Sequence, residues 1–313
     1  MMSGQMLLGA AVMPMILSCW SAAAAQAPSI PRTAEGRSDF QGVWETRWRT
    51  PMQRPKGVTD AVIPEADKAT FVAILDAKHQ ADSGLFHPEL DFDWGPLLPA
   101  ADGGYRTSLI VEPADGQRPL TPLAREWAAM SNEAADRAED PEVLDLDFRC
   151  LRYGGAVPLA ISPDQMNRRI VQTADFLVIN TEEFGATRVI EFAAPRRPSA
   201  LVSYMGESVG YWDGDTLVIE TGLLRSEPAS PPSEKGKSIR KVTETLKFNS
   251  IDELAYTYVI DDPSLFTTPM RVEFTFVRTD SRMYESACHE GNYSMAGTLG
   301  GAREMERRLV RAD

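Results

Sequence analysis

Apolar residues recur at every second position through much of the second half of the chain. Val242, Glu244, Leu246 and Phe248 alternate with polar neighbours, as do Leu254, Tyr256, Tyr258 and Ile260, and residues 249–253 turn between the two runs. Val272, Phe274 and Phe276 repeat the pattern, and Met283–Ala287 reads as a strand that pairs with them. Such alternation marks strands with one buried face. Upstream, Ile170–Gln172 and Phe176–Ile179 flank Thr-Ala-Asp, a hairpin connection, and Thr187–Phe192 is another strand. Asp213-Gly214 interrupts the β-prone run Ser208–Glu220, which predicts a two-residue hairpin turn with positive φ at both residues. The first strand lies within Asp39–Trp48, where Val43 alternates with Glu45, and Trp44 with Thr46 and Trp48.

Helical spacing appears in three places. From Pro64 to about His79, Phe71, Ile74, Leu75 and Ala77 share a face. A second helix starts at Thr121-Pro122, with Thr as cap and Pro where its missing N–H has no partner to lose; Leu123, Trp127, Met130 and Ala134 form its apolar stripe. The third runs from about Tyr293 to Leu309, its basic end from Arg303 to Arg311 matching the negative pole of the helix. Residues 80–118 are rich in Pro, Gly and Asp and read as irregular, with one strand at Arg106–Glu112. The prediction is a mainly β fold: an antiparallel meander forming a curved sheet or a lipocalin-like barrel, with two or three peripheral helices. It is one β-rich domain over residues 26–313 with a helical and irregular insertion at about 64–145; a division near 140 is the alternative.

The first 25 residues change the picture of where the chain works. Met1–Ala25 carries no Asp, Glu, Lys or Arg, and the apolar run Met6–Leu17 is followed by Ser21-Ala-Ala-Ala-Ala25. This is the pattern of a secretory signal peptide cleaved after Ala25, which predicts a periplasmic or secreted protein. A retained anchor and lipoprotein processing at Cys19 are the rivals. No second run is long enough to span a bilayer. The net charge of −13, from 32 Lys and Arg against 45 Asp and Glu, argues against nucleic acid and anionic membranes as partners. Cleavage leaves Cys150 and Cys288, which in an oxidising compartment read as one disulfide, with two buried thiols as the alternative.

Candidate chemistry is sparse. Three histidines, His79, His87 and His289, give little to build a metal site from, and none is predicted. His289 has more promise as an acid/base group, with Tyr284, Glu285 and Glu290 nearby and Asn292 and Tyr293 as donors. The alternative is a structural turn in which His289 and Asn292 satisfy backbone groups before a helix. Asp213 and Asp215 look like a carboxylate pair but belong to the hairpin; Asp261-Asp262-Pro263 reads as a strand-ending turn. Gly206-Glu-Ser208-Val-Gly210 has the glycine spacing of a nucleophile elbow, yet Ser208 falls in a strand. Arg149, beside Cys150, is a candidate to bind a carboxylate or phenolate.

Several segments together resemble a large, mostly uncharacterised family of exported bacterial proteins. They are Phe40-Gln-Gly-Val-Trp44, Pro119-Leu-Thr-Pro122, Tyr204–Thr221, Ile260-Asp-Asp-Pro263, and Tyr284-Glu-Ser-Ala-Cys-His-Glu-Gly-Asn-Tyr293. Gly42-Val-Trp44 is also similar to the first strand of lipocalin-like barrels. The resemblance gives added weight to Cys288-His-Glu-Gly-Asn as a site. The leading expectation is an exported, cofactor-independent lyase, isomerase or hydrolase acting on a small, partly apolar molecule, aromatic ones included. His289 would move the proton, Glu290 orient it, and Asn292 or Tyr293 stabilise negative charge, with Trp44, Arg149, Trp212, Tyr256 and Tyr258 binding the substrate. The alternative is a non-catalytic, lipocalin-like binder of the periplasm. Nothing in the sequence sets the oligomeric state.

Overall fold

A computed structural model describes residues 29–83, 95–144, 148–151, 157–161, 167–192, 202–225 and 240–312. The expected leader and its cleavage site lie outside them, as does His87. The strands are β1 (Gly42–Glu45), β2 (Val62–Ile63), β3 (Tyr105–Arg106), β4 (Ile110–Glu112), β5 (Asn167–Gln172), β6 (Phe176–Thr181), β7 (Thr187–Phe192), β8 (Glu207–Asp213), β9 (Thr216–Gly222), β10 (Lys241–Ser250), β11 (Glu253–Asp261) and β12 (Met270–Arg278). The α-helices are α1 (Lys68–Ser83), α2 (Pro122–Arg137), the short α3 (Cys288–Gly291) and α4 (Tyr293–Ala312).

The strand order β1-β5-β6-β7-β8-β9-β10-β11-β12 returns to β1 through Trp44 opposite Arg278, so the sheet closes into a nine-stranded barrel. An odd number of strands cannot close with every neighbour antiparallel. The exception is β7 with β8, a parallel pair of three rungs from Ile190–Ser208 to Phe192–Gly210. Here the expected meander gives way to a crossover. β12 is flanked on one edge by β4 at its start and β1 at its end. Between them, Leu109 O accepts from Glu273 N at 3.0 Å and Trp48 Nε1 donates to Thr275 O at 2.6 Å. That edge is therefore occupied, which is why Met283–Ala287 makes no strand and runs as an irregular strap. Its Tyr284 N–H bonds Glu182 Oε1 at 2.6 Å.

Two-residue periodicity puts one face of each strand inside. Trp44, Ile179, Ile190, Leu217, Ile219, Leu246, Tyr256, Phe274 and Phe276 are all buried in one core. One end is closed by Phe40, which stacks on Trp212 with ring centroids 5.7 Å apart and packs on Phe248 at 5.2 Å. Gln172 fixes this stopper, accepting from Phe40 N at 3.0 Å and donating to Ser38 O at 2.9 Å.

Four local expectations are corrected. The β8–β9 turn is Gly214-Asp215, since Asp213 pairs with Thr216; Gly214 has φ of 58° and Asp215 has none of the positive φ expected at both turn residues. α2 begins at Pro122 with Thr121 Oγ1 accepting from Ala124 N at 3.0 Å, as expected, but its packed face is turned. Leu123 and Met130 are half exposed, while Ala124 within the helix and Ala138 at its C-cap are buried. The strand expected at Arg106–Glu112 splits: β3 pairs with β2, and β4 with β12. Ile63, Phe71 and Leu97 make a satellite core under α1, of whose expected face only Phe71 is fully buried.

Candidate functional site

The expected catalytic residues gather on the outside of the barrel. Cys150 and Cys288 stand at disulfide-bonding distance, with Cα atoms 5.8 Å apart, and pin α3 to the loop around Phe148. Asn292 caps α4: its Oδ1 accepts from Met295 N at 3.3 Å, while its Nδ2 donates to Phe148 O at 2.8 Å. His289, Glu290 and Tyr293 are exposed, Tyr293 by 81%. A hollow of about 320 Å³ lies beside them, lined by Phe148, Ser286, Ala287, Cys288, Gly291, Asn292 and Ser294 but by none of the three exposed side chains. Arg149 is half-buried next to Cys150. Among the described residues no three His, Cys, Asp or Glu side chains are grouped to hold a metal ion, and no helix is long and apolar enough to cross a membrane.

The expected binding aromatics go elsewhere. Trp44, Trp212, Tyr256 and Tyr258 point into the barrel, where Trp44 Nε1 donates to Phe40 O at 2.9 Å. With Tyr256 and Tyr258 comes a set of inward polar residues that belong to no recognisable catalytic motif. Seven consecutive strands each contribute to it: Arg168 on β5, Thr181 on β6, Arg188 on β7, Ser208 on β8, Thr221 on β9, Glu244 on β10 and the two tyrosines on β11. Thr46, just past β1, completes it. All are buried, on the side of the core away from Phe40, where they sit among the rings of Phe274 and Phe276 with Val242, Ile260, Met270 and Val272 beyond them.

Arg188 organises this side. From β7 its Nε donates to Ser208 Oγ at 3.0 Å, its Nη2 to Thr221 Oγ1 at 2.8 Å, and its Nη1 to Glu244 Oε1 at 2.9 Å. The second Glu244 oxygen takes Nη2, making the pair bidentate. Tyr256 OH donates to Glu244 Oε1 at 2.6 Å and accepts from Leu159 N at 2.9 Å. Burial, then the Glu244 charge, pushes the Tyr256 phenol well up. Burial pulls Arg188 down, yet the Glu244 charge and hydrogen bonds outweigh it and leave the guanidinium more firmly protonated. Arg168 donates to Thr46 Oγ1 at 3.4 Å and to Ala160 O, and lies over the Phe276 ring at 5.2 Å; burial lowers it to about 10. Thr181, paired with Arg168 across β5 and β6, is fully buried, and its Oγ1 has no hydrogen-bond partner among the described residues.

The sequence does carry a signal for these residues. Arg168 is in phase with Ile170, Arg188 with Ile190, and Glu244 with Leu246. A charged residue on the apolar phase of a strand is either an error in the phase or a charge built into the core. In the first rejected pair Asp213 ends β8 and Asp215 sits in the turn, the reverse of the expected placing, while Asp261 ends β11 as expected. Asp215 binds Arg32, which holds its carboxyl below the usual range, and Asp262 accepts from Ser264 N at 3.1 Å in a turn. Neither the protein-family models nor the curated proteins contain a match to this chain.

Proposed function

We propose that this chain is an exported binding protein that holds a small, partly apolar organic molecule inside the barrel, the molecule's polar end against Arg168, Thr181 and the Arg188–Glu244–Tyr256 network. One observation carries the reading: seven consecutive strands turn hydrogen-bonding side chains into an otherwise apolar and aromatic core, where Arg168, Thr181 and the Arg188–Glu244–Tyr256 network are all buried. Apolar pockets with a few convergent polar groups are how small organic ligands are oriented. Buried charge costs stability, and an apolar core of equal volume is often the more stable choice. Nine strands could close without it, so a ligand-binding role gives it a reason. The test is capture: the exported protein is incubated with a bacterial metabolite extract, separated from free solutes and read by mass spectrometry. The expected result is an intact small molecule retained equally by wild type and His289→Ala. Retention of nothing by either form rejects the reading.

The second reading is the cofactor-independent enzyme, with His289 and Glu290 as acid/base groups and Asn292 or Tyr293 as donors. It draws on the hollow beside Cys288 and on the way the disulfide and Asn292 fix that segment. Against it stands the exposure of His289, because proton transfer gains most where water is excluded. In the same capture experiment it requires metabolites consumed by wild type and spared by His289→Ala.

A further inference from the structure

The polar side of the core is stoppered by the chain itself. Residues 157–161 enter it, with Val157 and Leu159 each only 1% exposed. The barrel meets this plug through two backbone groups and two buried apolar side chains. Leu159 N–H donates to Tyr256 OH at 2.9 Å, and Ala160 C=O accepts from Arg168. The side chain of Leu159 supplies apolar filling in the core shared with Tyr256 and Ile179. Any peptide with an apolar residue at that place presents the same N–H, the same C=O and a similar filling. The plug is also tethered, because Cys150, shortly before it, is bound to Cys288. A tethered segment competes at high effective concentration with anything free in solution.

We infer that the polar side of the core recognises short apolar peptides or amides, and that residues 157–161 occupy it as a built-in competitor. This rests on the binding reading above and names its ligand class. A free ligand sees only the fraction of molecules whose plug has left, and its apparent affinity falls by that fraction. Weakening the plug therefore tightens ligand binding, the opposite of what loss of an ordinary core residue does.

The probe is the acetylated and amidated pentapeptide Val-Pro-Leu-Ala-Ile, the plug's own sequence, titrated calorimetrically into the full exported protein. Leu159→Ala and, as a milder change, Val157→Ala are expected to bind it at least tenfold more tightly than wild type. Adding Tyr256→Phe to Leu159→Ala removes the acceptor for the ligand's N–H and is expected to reverse most of that gain. In wild type, millimolar peptide should speed hydrogen exchange at the Leu159 amide, and this arm decides alone if the variants do not fold. Equal affinity in all forms overturns the inference, and so does no binding with Leu159 equally protected at millimolar peptide. If the peptide fails while a metabolite is still captured, the inference falls and the binding reading stands; if neither is held, both fall.

Discussion

Arg188 reaches from β7 across β8 and β9 to Glu244 on β10, and so spans the three-rung parallel seam from the inside. Removing it leaves Glu244 charged, buried and bonded only by a phenol. Arg188→Met should cost about 3–5 kcal/mol in chemical denaturation, and adding Glu244→Leu should restore much of it, since an apolar pair of similar volume avoids the stranded charge. Thr181 is the opposite case. A buried hydroxyl without a partner costs about 1–3 kcal/mol, so Thr181→Val should stabilise the unliganded protein by up to about that amount while weakening ligand retention roughly tenfold. A Thr181→Val protein that is less stable, with unchanged retention, would remove this residue from the site. The tyrosines set a pH limit. Burial holds the Tyr256 and Tyr258 phenols above their ordinary value of 10.0, so their contribution is complete below pH 10 and is lost as the pH rises further, where the unfolded chain ionises first. Arg168, lowered to about 10 by burial, works the other way and offsets one of the two. The net expectation is a fall of about 1.4 kcal/mol per pH unit above 10, flattened by Tyr258→Phe; an unchanged slope in that variant would show the phenol to be solvated.

Among the elements, the most legible in the sequence were long strands with strict alternation. The two runs from Val242 to Ile260 became β10 and β11, and Thr187–Phe192 became β7. Misreadings arose where neighbours decide. Met283–Ala287 has the composition of a strand but finds the edge of β12 already taken by β1 and β4. α2 buries Ala124 and leaves Leu123 and Met130 half exposed, so its apolar stripe does not mark the face that packs. At the candidate site the aromatic residues could be read from alternation, whereas Arg168, Arg188 and Glu244 could not be told from solvent-facing charges without trusting the phase over the residue type. The strap and α3–α4 depend on Cys150 and Cys288, 138 residues apart. Replacing both with Ser should lower stability by about 5 kcal/mol on the chain-entropy account and raise hydrogen exchange first in α4. If α4 kept its protection, its few contacts with the body would be enough to hold it.

On the scale of the whole molecule, the barrel is closed by two different segments. Phe40, held by Gln172, seals one end, and the tethered plug seals the polar side of the core away from it. The chain carries a net charge of −13, while its largest buried polar network among the described residues lies inside the barrel. Isoleucine methyl groups report directly on that interior, because Ile179, Ile190 and Ile219 line the core while Ile63 lies in the satellite core and Ile74 is exposed. The decisive measurement is a methyl NMR spectrum of the protein before and after adding whatever metabolite fraction the capture experiment yields. Binding inside the barrel predicts shifts at Ile179, Ile190 and Ile219 with Ile63 and Ile74 unmoved; a spectrum in which the barrel methyls stay fixed while others move, or none moves, would contradict it.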